Sequence, residues 1–466
     1  MIASAQHLAH DHEASYPPPR PPWFPTTPGI GAYLEIRGRD KLSFLSTVAA
    51  AGDVVRFNVL GLSVVMLSAP AHIEHVLVKN ARAYSKDVRS YRQLKLVLGN
   101  GLLTSEGDSW LRNRRIAQPA FHRQRIAAMG EVMATAAAGA RDALTGAAEG
   151  GEVIDMASEM MHLTLRVVGE AMLSRDVTRE VDEVSTALTT TLKYIERKIN
   201  RPWMLPPWVP TPTNQRFVGA LSRIDKVVAE IITARRESPE ADDRDLLGLL
   251  MNATDADTGE TMTDRQLRDE VMTIFLAGHE TTANALTWAL YLLARNPAIA
   301  AEVRREVADE IGDATVTAKN VAGLDLVGRV LSEAMRLYPP AWIMERAPQR
   351  DDVIGGFRVT PRDLILMSPW VTHRRPDLWP DPERFDPSRF SDENSRNRQR
   401  YAYFPFGGGQ RKCIGDGFAL LEAKIILATL VRAFSFSYAG EGDAVPEPLV
   451  TLRPTGGMPM RIAPVG

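Results

Sequence analysis

Cysteine occurs once in the 466 residues, at Cys413. That excludes an intramolecular disulfide and any multi-cysteine zinc site. Long hydrophobic runs are missing too: no 18 consecutive residues are apolar, so no transmembrane helix is predicted. The N-terminus lacks the basic region and apolar core of a secretory signal, and a cytoplasmic protein is expected. Neither sign of charge dominates, since 55 Lys+Arg face 57 Asp+Glu for a net charge of −2. Global attraction to nucleic acid or to an anionic membrane is therefore excluded. Aromatic residues make up only 7%, yet 45% hydrophobic and 24% charged residues exclude global disorder.

What is present reads as mainly α with minor β. Residues 1–30 carry His7, His10 and His12 and then a proline cluster, which predicts a flexible tail; 31–466 is expected to form one domain. Runs 53–60 and 62–68 around Gly61 predict a hairpin. Segment 120–150 is alanine-rich and closes on Gly150-Gly151, a helix with its stop. Prolines and tryptophans at 201–214 predict a loop between helices that packs apolar surface. A long helix is expected from the cap Thr263 to Arg295, apolar on nearly every face over 271–293 and so buried in the core. The next begins with Asn296 as cap and Pro297 at its first position, with Ile299, Val303, Val307 and Ile311 as its buried stripe. Late strands are expected at 352–359 and 363–367.

The cysteine lies in Phe406-Gly407-Gly408-Gly409-Gln410-Arg411-Lys412-Cys413-Ile414-Gly415. Three glycines allow close approach of a flat group, and Arg411 and Lys412 favour a thiolate. A buried, inert cysteine is the ordinary alternative. The spacing Phe-x-x-Gly-x-Arg-x-Cys-x-Gly resembles the cysteine-loop signature of the cytochrome P-450 superfamily at every fixed position. Chance matches of that kind arise on the order of once in ten thousand such chains. The resemblance implies a long core helix over haem b with small sheets beside it, and Cys413 as the axial iron ligand.

Three further motifs extend the resemblance from about residue 30 onward. Glu333-Ala334-Met335-Arg336 resembles the family's buried Glu-x-x-Arg pair. Its third member is then Arg389 of Pro387-Ser388-Arg389-Phe390, rather than Arg384 in the literal string Pro382-Glu383-Arg384-Phe385. Ala277-Gly278-His279-Glu280-Thr281-Thr282 resembles the oxygen-activation groove. It implies that Thr281 hydrogen-bonds dioxygen and that Glu280 gates a proton relay through water. Trp110-Leu111-Arg112-Asn113-Arg114 resembles the Trp-x-x-x-Arg helix, so Trp110 and Arg114, with Arg346 and Arg411, are implied to hold haem propionates. Read without the family, these motifs are also compatible with a surface ion pair, a glycine packed against a neighbour, and a cation–π pair.

The groove and Gly101-Leu102-Leu103-Thr104-Ser105 look similar to bacterial fatty-acid hydroxylases of this superfamily. The resemblance puts Leu103, Ala277, Ala341 and Trp342 around the substrate. Those hydroxylases anchor a carboxylate through an arginine and a tyrosine on the first hairpin, and Gly61-Leu62-Ser63-Val64-Val65-Met66 offers neither. A lipophilic terpenoid, steroid, polyketide-like molecule or fatty acid remains open. The sequence shows no flavin or ferredoxin module, so electrons are expected from a separate ferredoxin with its reductase. Arg112, Arg115, Arg123, Arg125 and Lys412 are the candidate docking cluster. The expected activity is O₂-dependent monooxygenation. A peroxygenase, isomerase or dehydratase commonly lacks the acid–alcohol pair retained here as Glu280 and Thr281. A non-catalytic gas sensor would have no use for that pair.

Overall fold

The structure, a computed structural model, describes residues 18–25, 41–173, 181–237, 245–252, 254, 259 and 261–465. His7, His10 and His12 lie outside these. The flexible tail expected over 1–30 does not extend to residues 18–25, which are held on the body. Arg20 forms a bidentate pair with Asp363 at 2.8 and 2.5 Å. Prolines cannot donate, but their carbonyls accept: Arg56 N–H bonds Pro22 at 2.9 Å and Arg358 N–H bonds Pro19 at 2.8 Å.

Five strands form the main sheet: β1 (Val54–Val59), β2 (Leu62–Leu67), β3 (Tyr84–Ser85), β4 (Met344–Pro348) and β5 (Asp363–Met367). Their order is β1-β2-β5-β4-β3, with β2 and β5 parallel and the other pairs antiparallel. The β1–β2 hairpin matches the sequence reading. Its turn, Leu60-Gly61, has φ of 52° and 84°, the pair of positive angles a tight two-residue hairpin requires. The strand expected over 352–359 is instead a separate hairpin, Asp352–Ile354 against Phe357–Val359. Gly355 and Gly356, at φ 57° and 82°, reverse the chain there.

Helices make up most of the rest. The core helix, Asp264–Arg295, starts in a full capping box in which Thr263 and Gln266 satisfy each other's backbone N–H groups. Met156–Leu173, Asp325–Leu337 and Asp416–Ala433 pack against it and Arg123–Gly150 packs on the first and last of these, all contributing to one continuous apolar cluster. The alanine-rich helix stops at Gly151, which takes the left-handed conformation (φ 66°). Two details of the Pro297–Ile311 helix differ from expectation. Asn296 does not cap it, because its side chain turns back to the Leu292 carbonyl at 2.8 Å. Its buried stripe begins at Ala300 rather than Ile299. The 201–214 loop does join two helices, Val181–Asn200 and Pro212–Glu237, but it leaves Trp203 and Trp208 exposed instead of packing them.

Candidate active site

The single cysteine sits where a glycine-bent loop enters a helix. Gly407 (φ 70°) and Gly409 (φ 64°) occupy the left-handed region. A Cβ on Gly409 would lie 1.8 Å from the Leu77 carbonyl oxygen, so no other residue fits. The Cys413 N–H donates to the Phe406 carbonyl at 3.0 Å and closes the loop. The Cys413 side chain is accessible, yet burial is the largest influence on its thiol and pushes its pKa up.

Lys412 pulls toward the thiolate as the sequence suggested, but too weakly to set the thiol's pKa. Burial outweighs the modest opposing pull of the Gly415 N–H, Arg114 and Lys412. Lys412 pairs with Asp416 at 2.5 Å. Arg411 turns away to the Ser105 carbonyl at 2.9 Å and Glu106 at 2.7 Å, with the Trp110 ring 3.9 Å from its guanidinium carbon. Arg114 donates to the Lys412 carbonyl at 2.9 Å, which steadies the residue next to Cys413.

Midway along, the core helix leaves one face uncovered. Ile274, Ala277, Gly278 and Thr281 follow the i, i+3, i+4, i+7 spacing and are accessible, while most of the helix around them is buried. A Cβ on Gly278 would approach Val168 to 2.9 Å, so the glycine admits the helix Met156–Leu173 at close range. Thr164 of that helix donates to the His279 carbonyl at 2.9 Å, and Thr281 to the Ala277 carbonyl at 2.8 Å. Hydroxyls bonded to helix carbonyls in this way bend a helix. Leu103 and Ala341 are half-buried. Trp342 differs: its ring is buried beside the β1–β2 hairpin and its indole donates to the Leu449 carbonyl at 2.8 Å.

Glu280 does not share the open face with Thr281. It is 1% exposed and accepts from Arg453 Nε at 2.7 Å and from the Thr451 hydroxyl. Asn284 donates to the same hydroxyl at 3.1 Å. Nothing in the motif around Glu280 pointed to Arg453, which lies 173 residues further along the chain.

A second cluster is strongly positive. Lys86, Arg346 and Arg411 influence one another electrostatically, and Lys86 and Arg346 are buried. Burial, then the two arginines, holds the Lys86 ammonium well below its ordinary pKa. Burial pushes Arg411 down to about 10. Among the described residues the carboxylate paired with this cluster is Glu106, on Arg411. Arg346 donates to a backbone carbonyl, Glu345 O, at 2.7 Å. Two arginines and a lysine share one paired carboxylate, with the Glu345 carboxyl acting on Arg346 as well, and such a basic cluster suits an anionic ligand. No motif marked Lys86, one of 55 basic residues.

The buried pair holds the loop from behind. Glu333 and Arg336 are fully buried and bidentate, at 2.7 and 2.8 Å. Arg336 also donates to the carbonyls of His373, Pro382 and Arg384 at 2.9, 2.7 and 3.2 Å. Arg389 Nε lies 3.4 Å from Glu333 without hydrogen-bond alignment, whereas Arg384 offers the pair only its carbonyl. The His373 ring accepts the Phe404 N–H at 3.0 Å, which ties this network to the start of the cysteine loop. Of the docking cluster, Arg115, Arg123, Arg125 and Lys412 are exposed. Arg112 instead borders a surface groove with Lys95, Asn100 and Arg265.

A loop thiol, an accessible apolar helix face and a basic cluster fit a flat, anionic, thiolate-ligated group, and the class is a haem-thiolate protein. Comparison with known proteins agrees. The family description Cytochrome P450 matches residues 18–458. The chain is 37% identical to cyclooctatin synthase of Streptomyces melanosporofaciens, over 94% of this chain and 92% of that one. It is 33% identical to pentalenene oxygenase of Streptomyces avermitilis, over 89% and 91%. The crystal structure of the cytochrome P450DA heme domain superposes with a TM-score of 0.87 at 28% identity, over 96% and 98% of the two chains. The chain belongs to the cytochrome P450 family, and is a haem b monooxygenase of the oxidoreductase class.

Proposed function

We propose that this enzyme hydroxylates a neutral terpenoid, taking electrons from a separate ferredoxin and its reductase. The uncovered face of the core helix carries this reading: Ile274, Ala277 and Gly278 offer no charge and Thr281 a single hydroxyl. Half-buried Leu103 and Ala341 are apolar as well. Relatives are named cyclooctatin synthase, pentalenene oxygenase and cyclooctat-9-en-7-ol 5-monooxygenase.

Cys413 would ligate the iron, and Lys86, Arg346 and Arg411 would pair with the propionates. Bound haem supplies the activation of O₂ by two electrons and two protons. The chain's residues position, exclude water and move protons. Thr281 holds its proton toward Ala277 O in the structure, and rotation about χ1 would turn that donor to the open face. Glu280 holds its carboxylate on Arg453, so passing a proton requires that pair to open. Arg114 and His373 keep the cysteine loop in place through the Lys412 carbonyl and the Phe404 N–H.

The test is a spin-state titration with cyclic sesquiterpenes and diterpenes against lauric acid, followed by turnover with a surrogate ferredoxin system and mass spectrometry. A high-spin shift and a product heavier by one oxygen, with terpenoids only, is expected. A shift with lauric acid alone would overturn the substrate class.

A further inference from the structure

The segment 99–105, which carries Leu103, is drawn onto the core helix by two successive carboxylates. Asp269 Oδ2 accepts the Asn100 N–H at 2.7 Å, and Glu270 Oε2 accepts the Leu102 N–H at 3.0 Å. Two glycines let the backbone come that close. A Cβ on Gly99 would lie 2.1 Å from Asp269 Oδ1, and one on Gly101 would lie 2.2 Å from Thr273 Oγ1 and 2.5 Å from the Asp269 carbonyl. The segment also closes on itself. The Thr104 hydroxyl donates to the Gly99 carbonyl at 2.8 Å and the Ser105 N–H to the Gly101 carbonyl at 2.8 Å.

The two carboxylates are not equivalent. Asp269 has a counter-charge, Arg268, at 3.0 Å. Glu270 is buried, and among the described residues it has no ion-pair partner. Its other oxygen takes Asn113 Nδ2 at 2.7 Å, while Asn113 Oδ1, equally buried, is left without a donor. An acid buried with two neutral donors and no cation is kept at a cost in stability. Burial is the main reason its proton is held more tightly than usual. A residue retained against stability marks a place where function constrains the chain.

What that function is follows from the neighbour in sequence. Leu103 is held on both sides: the Leu102 N–H sits on Glu270, and the Leu103 carbonyl accepts from Lys86 at 3.2 Å. Arg411 fixes the far end through the Ser105 carbonyl at 2.9 Å. The Leu103 side chain is half-buried against the same apolar cluster as the core helix. Without Glu270 the Leu102 N–H would lose its acceptor, and the stretch would be tied only through Asn100 on one side and Lys86 and Arg411 on the other.

We infer that Glu270 is a positioning residue for ligand selection: it holds the segment 99–105 as a rigid wall, so that Leu103 stands at a fixed distance from the open face of the core helix. Glu270 acts through the Leu102 N–H and touches no ligand itself. Gly99 and Gly101 are the residues that admit the wall to its seat. The inference rests on the reading that Leu103 borders the substrate.

The experiment is a spectral titration of the haem-loaded enzyme with two iron-binding azoles of different size, imidazole and 4-phenylimidazole. Imidazole is too small to need the wall, whereas the phenyl ring packs on it. Leu103→Ala should weaken 4-phenylimidazole on the order of tenfold and imidazole by less than about twofold. Glu270→Ala should reproduce that split at about fivefold, because a mobile wall must be ordered on binding. Glu270→Gln should restore the wild-type ratio. Its carbonyl accepts the Leu102 N–H, and its amide donates to Asn113 Oδ1 once the Asn113 amide turns over. Gly101→Ala lifts the segment without removing a polar group and should separate the two azoles as Glu270→Ala does. An unchanged carbon monoxide difference spectrum certifies the fold of each variant. If Leu103→Ala separates the azoles and Glu270→Ala binds both like the wild type, the inference falls while the place of Leu103 stands. If Leu103→Ala itself leaves both azoles unchanged, Leu103 does not border the ligand and the inference falls with that reading. Equal weakening of both azoles by Glu270→Ala would show a general structural role and overturn it as well.

Discussion

Arg453 Nε lies 2.7 Å from Glu280 Oε1, so the acid of the acid–alcohol pair is held by a cation from the far end of the chain. Both partners are largely withdrawn from solvent. The two residues of the pair therefore do different things at rest: Thr281 borders the open face and Glu280 is clamped behind it.

Removing one side of this clamp strands a buried charge. Arg453→Gln should cost about 3 kcal/mol of stability, and Glu280→Gln made in the same chain should recover most of it. Thermal unfolding of the two single variants and the double variant gives the coupling directly. Glu280→Gln alone should slow turnover and enlarge the solvent isotope effect while leaving substrate affinity unchanged. Equal kcat values for Glu280→Gln and wild type would remove Glu280 from proton delivery.

The Glu333 network permits a graded prediction. Glu333→Ala leaves fully buried Arg336 without its carboxylate and should cost about 3–5 kcal/mol, with haem lost alongside. Arg389→Ala removes a misaligned contact at 3.4 Å and a hydrogen bond to the Asp381 carbonyl at 2.9 Å and should cost about 1–2 kcal/mol. Arg384→Ala leaves its carbonyl in place and should be close to neutral. Chemical denaturation of the three, with haem content measured in parallel, orders them. A larger loss for Arg384 than for Arg389 would reassign the third member.

Local sequence made the elements legible: the capping box at Thr263, the two-residue turn at Leu60-Gly61 and the stop at Gly151 each depend on residues a few positions apart. The cysteine loop and the Glu333–Arg336 pair follow motif spacing, and the choice of Arg389 over Arg384 rests on that spacing too. What stayed hidden joins distant segments. Arg453 on Glu280, Lys86 beside Arg346 and Arg411, and His373 on Phe404 follow no local pattern, since tertiary packing alone brings them together. The tail failed for a related reason: Arg20 looks like any arginine in a proline-rich terminus until Asp363, 343 residues away, is placed beside it.

Glu270 predicts a pH dependence. Its carboxyl is pushed up to about 7, because burial outweighs the Leu102 N–H and Asn113 donors, at 3.0 and 2.7 Å. An unfolded chain would ionise it near 4.3. Between roughly pH 4.3 and 7 the folded protein keeps a proton that the unfolded chain has released, so stability falls as pH rises through that window. Above it the full cost, on the order of 3–4 kcal/mol, is in place. Glu270→Gln should match the wild type in melting temperature near pH 4 and exceed it by pH 8. A gap that is constant with pH would show that Glu270 does not titrate there.

Lys86 ties haem binding to protons. Burial, Arg346 and Arg411 disfavour its charged form, and two propionates beside it would favour that form again. Haem uptake should therefore be accompanied by proton uptake at Lys86, and affinity should decline as pH rises. Lys86→Met removes one charge-assisted bond worth about 1.5–3 kcal/mol, a loss of roughly ten- to a hundredfold in haem affinity. It should also flatten that part of the pH profile. The rate of haem transfer to apomyoglobin, followed across pH for both proteins, measures the two effects together. Parallel profiles would place Lys86 away from the propionates, leaving Arg346 and Arg411 to hold them.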